Sequence, residues 1–231
     1  MSFGQAAPDS AQPREFVFTE ENLERARTII ARYPDGKQQS ALLPLLDLAQ
    51  RQHDNWLPRV AMDYVADFLE IPRIRAYEVA TFYTMFNKAP VGRHLIQVCT
   101  TTPCWLCGSS DLLKAIEDRT GLKPGQDADD GAFSVVEVEC LGACVNAPMV
   151  QINDDYYEDL DYDRMCRILD DLKAGKTVEA GSQTGRWGGQ AQAGPTSLLD
   201  RAPKDVKAAA KKDGKTDAKP GARKGKSHAE G

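Results

Sequence analysis

The stretches Leu95-Ile-Gln-Val-Cys-Thr-Thr-Thr-Pro-Cys104 and Phe133-Ser-Val-Val-Glu-Val-Glu-Cys-Leu-Gly-Ala-Cys144 decide how this chain folds. Each opens with a short apolar run that suits a strand, Leu95 to Val98 and Phe133 to Val138, and each passes directly into a pair of cysteines. Between them Ser109 or Ser110 can cap a helix that runs through Leu113 and Ile116. A strand, a helix and a second strand in that order imply parallel pairing, because the helix carries the chain back to the same end of the sheet. The C-terminal loops of two neighbouring parallel strands lie side by side. Cys99 and Cys104, with four residues between them, and Cys140 and Cys144, with three, are therefore expected on one edge, although 35 residues separate the pairs.

Outward from this core the pattern continues. Met149 to Ile152, the turn Asn153-Asp154-Asp155, then Tyr156 and Tyr157 read as a β-hairpin, and Asp161 caps a closing helix carrying Met165, Ile168, Leu169 and Leu172. The order β-α-β-β-β-α suits a thioredoxin-like sheet. Pro148 precedes a strand where such folds often hold a cis-proline, so a cis Ala147-Pro148 bond is expected. On the N-terminal side the periodicity is helical. Thr19 caps a first helix with Glu20 and Glu21 in its first turn and Leu23, Ala26, Ile30 and Tyr33 along one face. A second carries Ala41, Leu42, Leu45, Leu46 and Ala49, with Pro44 near its start; a third spans roughly Pro58 to Leu69; a fourth starts at Pro72 and continues with Tyr77, Ala80 and Tyr83. The fold class expected is α/β: a flexible N-terminus over 1–15, a helical bundle over 16–90, a thioredoxin-like ferredoxin domain over 91–181, and an extended or disordered basic tail over 182–231.

Four thiolates converging on one sheet edge suit an iron-sulfur cluster, which needs four anionic sulfur ligands. Gly142 gives the second loop a backbone able to pass close to sulfur, and the N–H groups of Thr101, Thr102 and Gly142 are candidate donors to it. Spacing leaves alternatives open. Tetrahedral zinc accepts a four-residue spacer, although the three-residue one is unusual for it. Cys107 adds a Cys99-x4-Cys104-x2-Cys107 reading that matches plant-type ferredoxins, and Cys104-Trp105-Leu106-Cys107 resembles a dithiol redox motif. That last reading leaves Cys140 and Cys144 without a task. Cys166, within a helix among Met165, Ile168 and Leu169, suits packing. Trp105 and Leu106 suit either a shielding and docking role or the core. The acidic run from Asp154 to Asp163 lacks the spacing and glycine of a calcium loop, and His53, His94 and His228 are scattered without a catalytic partner.

Composition restricts the function further. The net charge of -5 divides unevenly: from Arg201 on there are ten Lys or Arg against four Asp or Glu, and 19 against 30 before it. An acidic body argues against nucleic acid as a partner, since phosphate contacts need basic clusters. No apolar run approaches the roughly 20 residues that span a bilayer, so no direct membrane span is expected. Six cysteines without a secretory leader point to thiolate chemistry in a reducing, cytoplasmic setting.

The motifs Cys99-Thr-Thr-Thr-Pro-Cys104 and Glu139-Cys-Leu-Gly-Ala-Cys-Val-Asn-Ala-Pro-Met-Val150 closely resemble the small [2Fe-2S] subunit of NADH:ubiquinone oxidoreductase, respiratory complex I. Ile71-Pro-Arg-Ile-Arg-Ala-Tyr-Glu-Val-Ala-Thr-Phe-Tyr-Thr-Met-Phe86 and Asn153-Asp-Asp-Tyr-Tyr-Glu-Asp-Leu160 look like the same family, so the resemblance covers roughly residues 16–175. It implies that Cys99, Cys104, Cys140 and Cys144 hold the cluster and that Cys107 does not. It also implies tight docking on a larger iron-sulfur subunit that binds FMN and NADH, within the peripheral arm of the complex. On that reading this chain does no hydride chemistry; its cluster takes single electrons from the flavin, during electron transfer from NADH to quinone by a proton-translocating enzyme. The resemblance further implies a place at the inner face of the bacterial cell membrane. Similar subunits serve NAD-linked hydrogenases and formate dehydrogenases, and a zinc-stabilised interaction domain is the reading of a different class.

Overall fold

A computed structural model describes residues 6–186 and 188–189. The basic tail expected from sequence lies outside these residues, apart from its first few positions. Four helices lead: α1 (Glu20–Ile30), α2 (Leu42–Gln52), α3 (Arg59–Phe68) and α4 (Arg73–Phe82). Thr19 caps α1, its side chain accepting from the Asn22 N–H. Pro72 sits at the cap of α4 rather than in its first turn. Leu45, Leu46, Leu57, Val65 and Ala49 are fully buried in the core these helices share, with Phe16, Phe18, Tyr64 and Phe68 meeting edge to edge or stacked beside it. Each buried Leu contributes roughly 1.5–3 kcal/mol by leaving water.

The second half is built on one six-stranded sheet: β1 (His94–Cys99), β2 (Gln126–Asp127), β3 (Phe133–Val138), β4 (Val150–Ile152), β5 (Asp155–Glu158) and β6 (Gly181–Ser182), ordered β2-β3-β1-β4-β5-β6. β1 and β3 are parallel, as the strand-helix-strand order requires, and Cys99 stands opposite Val138 in their register. The hairpin β4-β5 turns at Asn153, which adopts a positive φ of 55°. Two helices, α6 (Ser109–Thr120) and α7 (Tyr162–Lys173), cover one face, where Ile96, Val98, Val135, Leu112, Ile116, Met165 and Leu169 form the core. Asp161 caps α7 by accepting from the Arg164 N–H at 2.7 Å. Neither serine caps α6: Gly108, at φ 104°, holds that position, and Ser109 is buried as the first helical residue. A five-residue helix, α5 (Thr102–Leu106), carries Cys104 and precedes α6; the sequence pattern does not announce it.

Two boundaries differ from the sequence-based division. Residues 6–15 are tied to the helical half: Ala7 is buried and its N–H donates to the Lys88 carbonyl at 2.9 Å, Gln12 accepts from the Arg59 N–H, and Asp9 pairs with Arg59. At the other end the contacts of the fold run past residue 181. β6 pairs with β5, Arg186 forms an ion pair with Asp159, and the Asn146 side chain donates to the Gly188 carbonyl at 2.8 Å. Both ends are short and polar, so their anchors are single long-range contacts that leave no hydrophobic periodicity. The two halves meet through a bidentate pair, Arg51 Nη1 and Nη2 donating to Asp154 at 2.7 and 3.0 Å.

Candidate metal centre

β1 delivers Cys99 as its last residue, and α5 begins three residues later and carries Cys104. β3 ends at Val138, so Cys140 leaves the neighbouring strand two residues further on. The loop from there passes through Gly142, at φ 88°, into a short 3-10 turn that begins at Cys144. Parallel pairing of β1 and β3 is thus what sets the two loops against each other. The Ala147-Pro148 peptide that closes the second loop is cis, as expected.

The four thiols meet as two pairs. Cys140 Sγ and Cys144 Sγ are 3.4 Å apart, and Cys99 and Cys104 each shift the other's thiol. Thr101 touches both pairs: its hydroxyl lies 3.3 Å from Cys99 Sγ and also helps to hold the Cys140 thiol low. The first pair is buried, Cys99 and Cys104 each 1% exposed beside Met149, with Leu141, Ala143, Ala147 and Tyr156 packed around them. The second pair faces outward, with Cys140 exposed and Cys144 half-buried.

Peptide N–H groups aim at this sulfur. Burial pushes the Cys99 thiol up, but the Thr101 hydroxyl and the N–H groups of Leu141 and Thr101 hold it below the ordinary thiol range. Cys140 is also held low, first by the Gly142 N–H and then by Cys144 and Thr101. Burial and the bond to Cys99 push Cys104 up to about 12, against the Met149 N–H. Cys144 is raised by its bond to Cys140. One member of each pair is thus held low and the other raised. Such an array gives up its protons to a cation.

These residues fit a [2Fe-2S] group, which takes two thiolates on each iron. Among the described residues no three His, Cys, Asp or Glu side chains are arranged to hold a single metal ion. Cys107 lies exposed at the C-terminal cap of α5, and Cys166 is buried within α7. Of the three expected donors Thr101 and Gly142 lower these thiols and Thr102 does not; Leu141 and Met149 also lower them, which residue type alone does not signal, because any residue but proline offers an N–H. Trp105 and Leu106 belong to the surface, 62% and 72% exposed, as does Val145 at 70%.

Comparison with known proteins agrees with this geometry. The profile of the thioredoxin-like [2Fe-2S] ferredoxin family matches residues 26–173. A chain of Rickettsia bellii (strain RML369-C) that is named as one of the subunits of NADH-quinone oxidoreductase is 59% identical over 158 residues, 68% of this chain and 95% of the relative. The mitochondrial NADH dehydrogenase [ubiquinone] flavoprotein 2 of Dictyostelium discoideum is 48% identical over 192 residues, 83% of this chain and 78% of that one. Among solved structures, an NAD+-reducing [NiFe]-hydrogenase in the H2-reduced state aligns with a TM-score of 0.52 at 23% identity, over 59% of this chain and 23% of the hydrogenase chain. That last likeness is one of fold.

Proposed function

Because the chain belongs to the thioredoxin-like [2Fe-2S] ferredoxin family, we propose that it is the electron-transfer subunit of the NADH-oxidising module of a proton-translocating NADH:quinone oxidoreductase. The observation that carries this reading is the thiol quartet on paired strand ends, in a chain 59% identical to a relative named as a subunit of that enzyme. Cys99, Cys104, Cys140 and Cys144 are the proposed ligands of one [2Fe-2S] cluster. When bound, the cluster accepts and releases one electron at a time.

The protein supplies the rest. Cys99 and Cys104 anchor the site in the apolar interior, while Cys140 and Cys144 present its outer edge. Donors from Thr101, Leu141, Gly142 and Met149 offset negative charge on the sulfurs and favour the reduced state. Trp105 and Leu106 on α5 beside Cys104, and Val145 beside Cys144, are exposed apolar side chains. Exposed aromatic and aliphatic side chains in one place suit a protein interface. The proposed partner there is a larger iron-sulfur subunit that binds FMN and NADH; hydride transfer belongs to that partner. Residues 16–90 serve in this reading as an N-terminal helical bundle, and 91 onward as the ferredoxin domain. No described helix is long and apolar enough to cross a membrane, and attachment to the inner face of the bacterial membrane is proposed to come through the other subunits of the peripheral arm.

The test is an EPR spectrum of the anaerobically purified, dithionite-reduced full chain, with iron and sulfide quantified. An S = 1/2 signal with about two iron per chain, absent in Cys144→Ala and retained in Cys107→Ala, is expected. Loss of the signal in Cys107→Ala would move the ligand set to the plant-type spacing. A colourless, zinc-loaded protein would sink the electron-transfer reading.

A further inference from the structure

One peptide group beside the thiol quartet is held at both ends. The Leu141 carbonyl and the Gly142 N–H belong to the same planar unit. Tyr156 Oη donates to the Leu141 carbonyl oxygen at 2.8 Å, and the Gly142 N–H at the other end of that peptide is the group that most lowers the nearby Cys140 thiol. The peptide thus links a phenol to a sulfur two residues before Gly142.

The two ends differ in how firmly they are fixed. Tyr156 lies on β5, paired with Gln151 of β4, so its position is set by the sheet. Gly142 lies between the end of β3 and the 3-10 turn, outside any strand or helix. Its φ of 88° lies in the left-handed region, and a Cβ there would meet nothing within 4 Å, so glycine is needed for the backbone angle and not for space. The Tyr156 ring packs against the group of Cys99, Cys104 and Met149 together with Leu141. A rigid strand residue therefore grips a freer loop at a carbonyl whose peptide also carries the Gly142 N–H.

Accepting a hydrogen bond at its carbonyl polarises a peptide and strengthens its N–H as a donor, by about 10–30% per bond. Donors to cluster sulfur raise the reduction potential, because they favour the form carrying the extra electron. We propose that Tyr156 is a positioning residue for electron transfer: its hydroxyl, acting through the Leu141-Gly142 peptide, aims and strengthens the N–H that reaches Cys140 and so holds the reduction potential up. This rests on the reading of Cys140 as a ligand. It gives β5, which carries no ligand, a direct part in setting when the site accepts an electron.

The experiment is an EPR-monitored redox titration of the full chain and of Tyr156→Phe, which removes one oxygen and keeps the ring. Expected is a midpoint shifted to more negative potential at unchanged iron content. In parallel, pulsed EPR of chain labelled with 15N-glycine should show a nitrogen coupling that weakens in Tyr156→Phe. Tyr162→Phe, which loses a bond to Asp118 on the helical face, is the control and should leave the midpoint in place. An unshifted midpoint in Tyr156→Phe overturns the proposal. So does loss of iron from that variant, since the hydroxyl would then be a structural tie and not a tuning group. A wild-type chain without iron would instead fail the cluster assignment, independently of Tyr156.

Discussion

Gly92 lies where the chain enters the sheet, and its N–H donates to the buried Ser134 hydroxyl at 2.7 Å. A Cβ on Gly92 would stand 2.5 Å from the Phe133 carbonyl carbon and 2.9 Å from its Cα. Those are backbone atoms of β3, held in register with β1, so they cannot swing aside as a flexible side chain would. Gly92→Ala is expected to destabilise the protein by about 3 kcal/mol, at the upper end for overpacking, seen as a lower urea midpoint at unchanged slope. Gly142→Ala is the contrast: it meets no neighbour, its cost is the roughly 1–2 kcal/mol of a left-handed non-glycine residue, and its effect should concentrate on the metal centre. Equal loss of stability in the two variants would contradict this account. At this scale the sequence made the thiols and Gly142 legible, because cysteine spacing and glycine each carry a chemical signature. It did not make Leu141, Met149 or Tyr156 legible. The first two act through N–H groups common to nearly all residues, and the third through a contact 15 residues away that only the folded hairpin creates.

Among the elements, α7 shows what a readable signal looks like. Asp161 adopts extended backbone and accepts from the Arg164 N–H, while Met165, Ile168, Leu169 and Leu172 point into the core at helical spacing. Asp161→Ala should cost about 1 kcal/mol, the usual loss for a cap, lowering the thermal midpoint by a few degrees. Asp161→Asn, which keeps an acceptor, should recover most of it; failure to recover would mean that the ion pair with Arg164, not the cap, carries the effect. The parallel pairing of β1 and β3 was legible for a similar reason, since a helix of 12 residues between two apolar runs leaves few other topologies. α5 and β6 were not, because five and two residues are too few for a periodicity to declare itself. α5 is also too short to bury both of its faces. Cys104 takes the inner one, which leaves Trp105 and Leu106 outside.

The molecule as a whole is closed by its last described residues. After β6, Arg186 donates to both carboxylate oxygens of Asp159 and to the Val145 carbonyl, and Asn146 holds the Gly188 carbonyl. This strap holds Val145 and Asn146, the two residues after Cys144, so the far end of the fold braces the loop that carries that thiol. Its anchor is largely buried, with Arg186 and Asp159 side chains 16% and 10% exposed. Burial alone would push the Asp159 carboxyl up; the bonds from Arg186 and Ser182 outweigh it and hold the group below the usual carboxylate range. A depressed folded-state pKa contributes stability that is fully present above the unfolded value of about 3.9 and is lost as pH falls through the lower folded value. Asp159→Asn keeps the shape, and asparagine tolerates the positive φ of 55° at this position, but it removes the charge. Removing the carboxylate charge opposite Arg186 should cost roughly 3 kcal/mol at neutral pH, and proteolysis or hydrogen exchange should show residues 181–186 opening first. Below pH 4 the wild-type advantage should shrink as Asp159 protonates, bringing the two stability curves together. Curves that stay parallel down to pH 2 would place the strap's contribution in packing instead of in the ion pair.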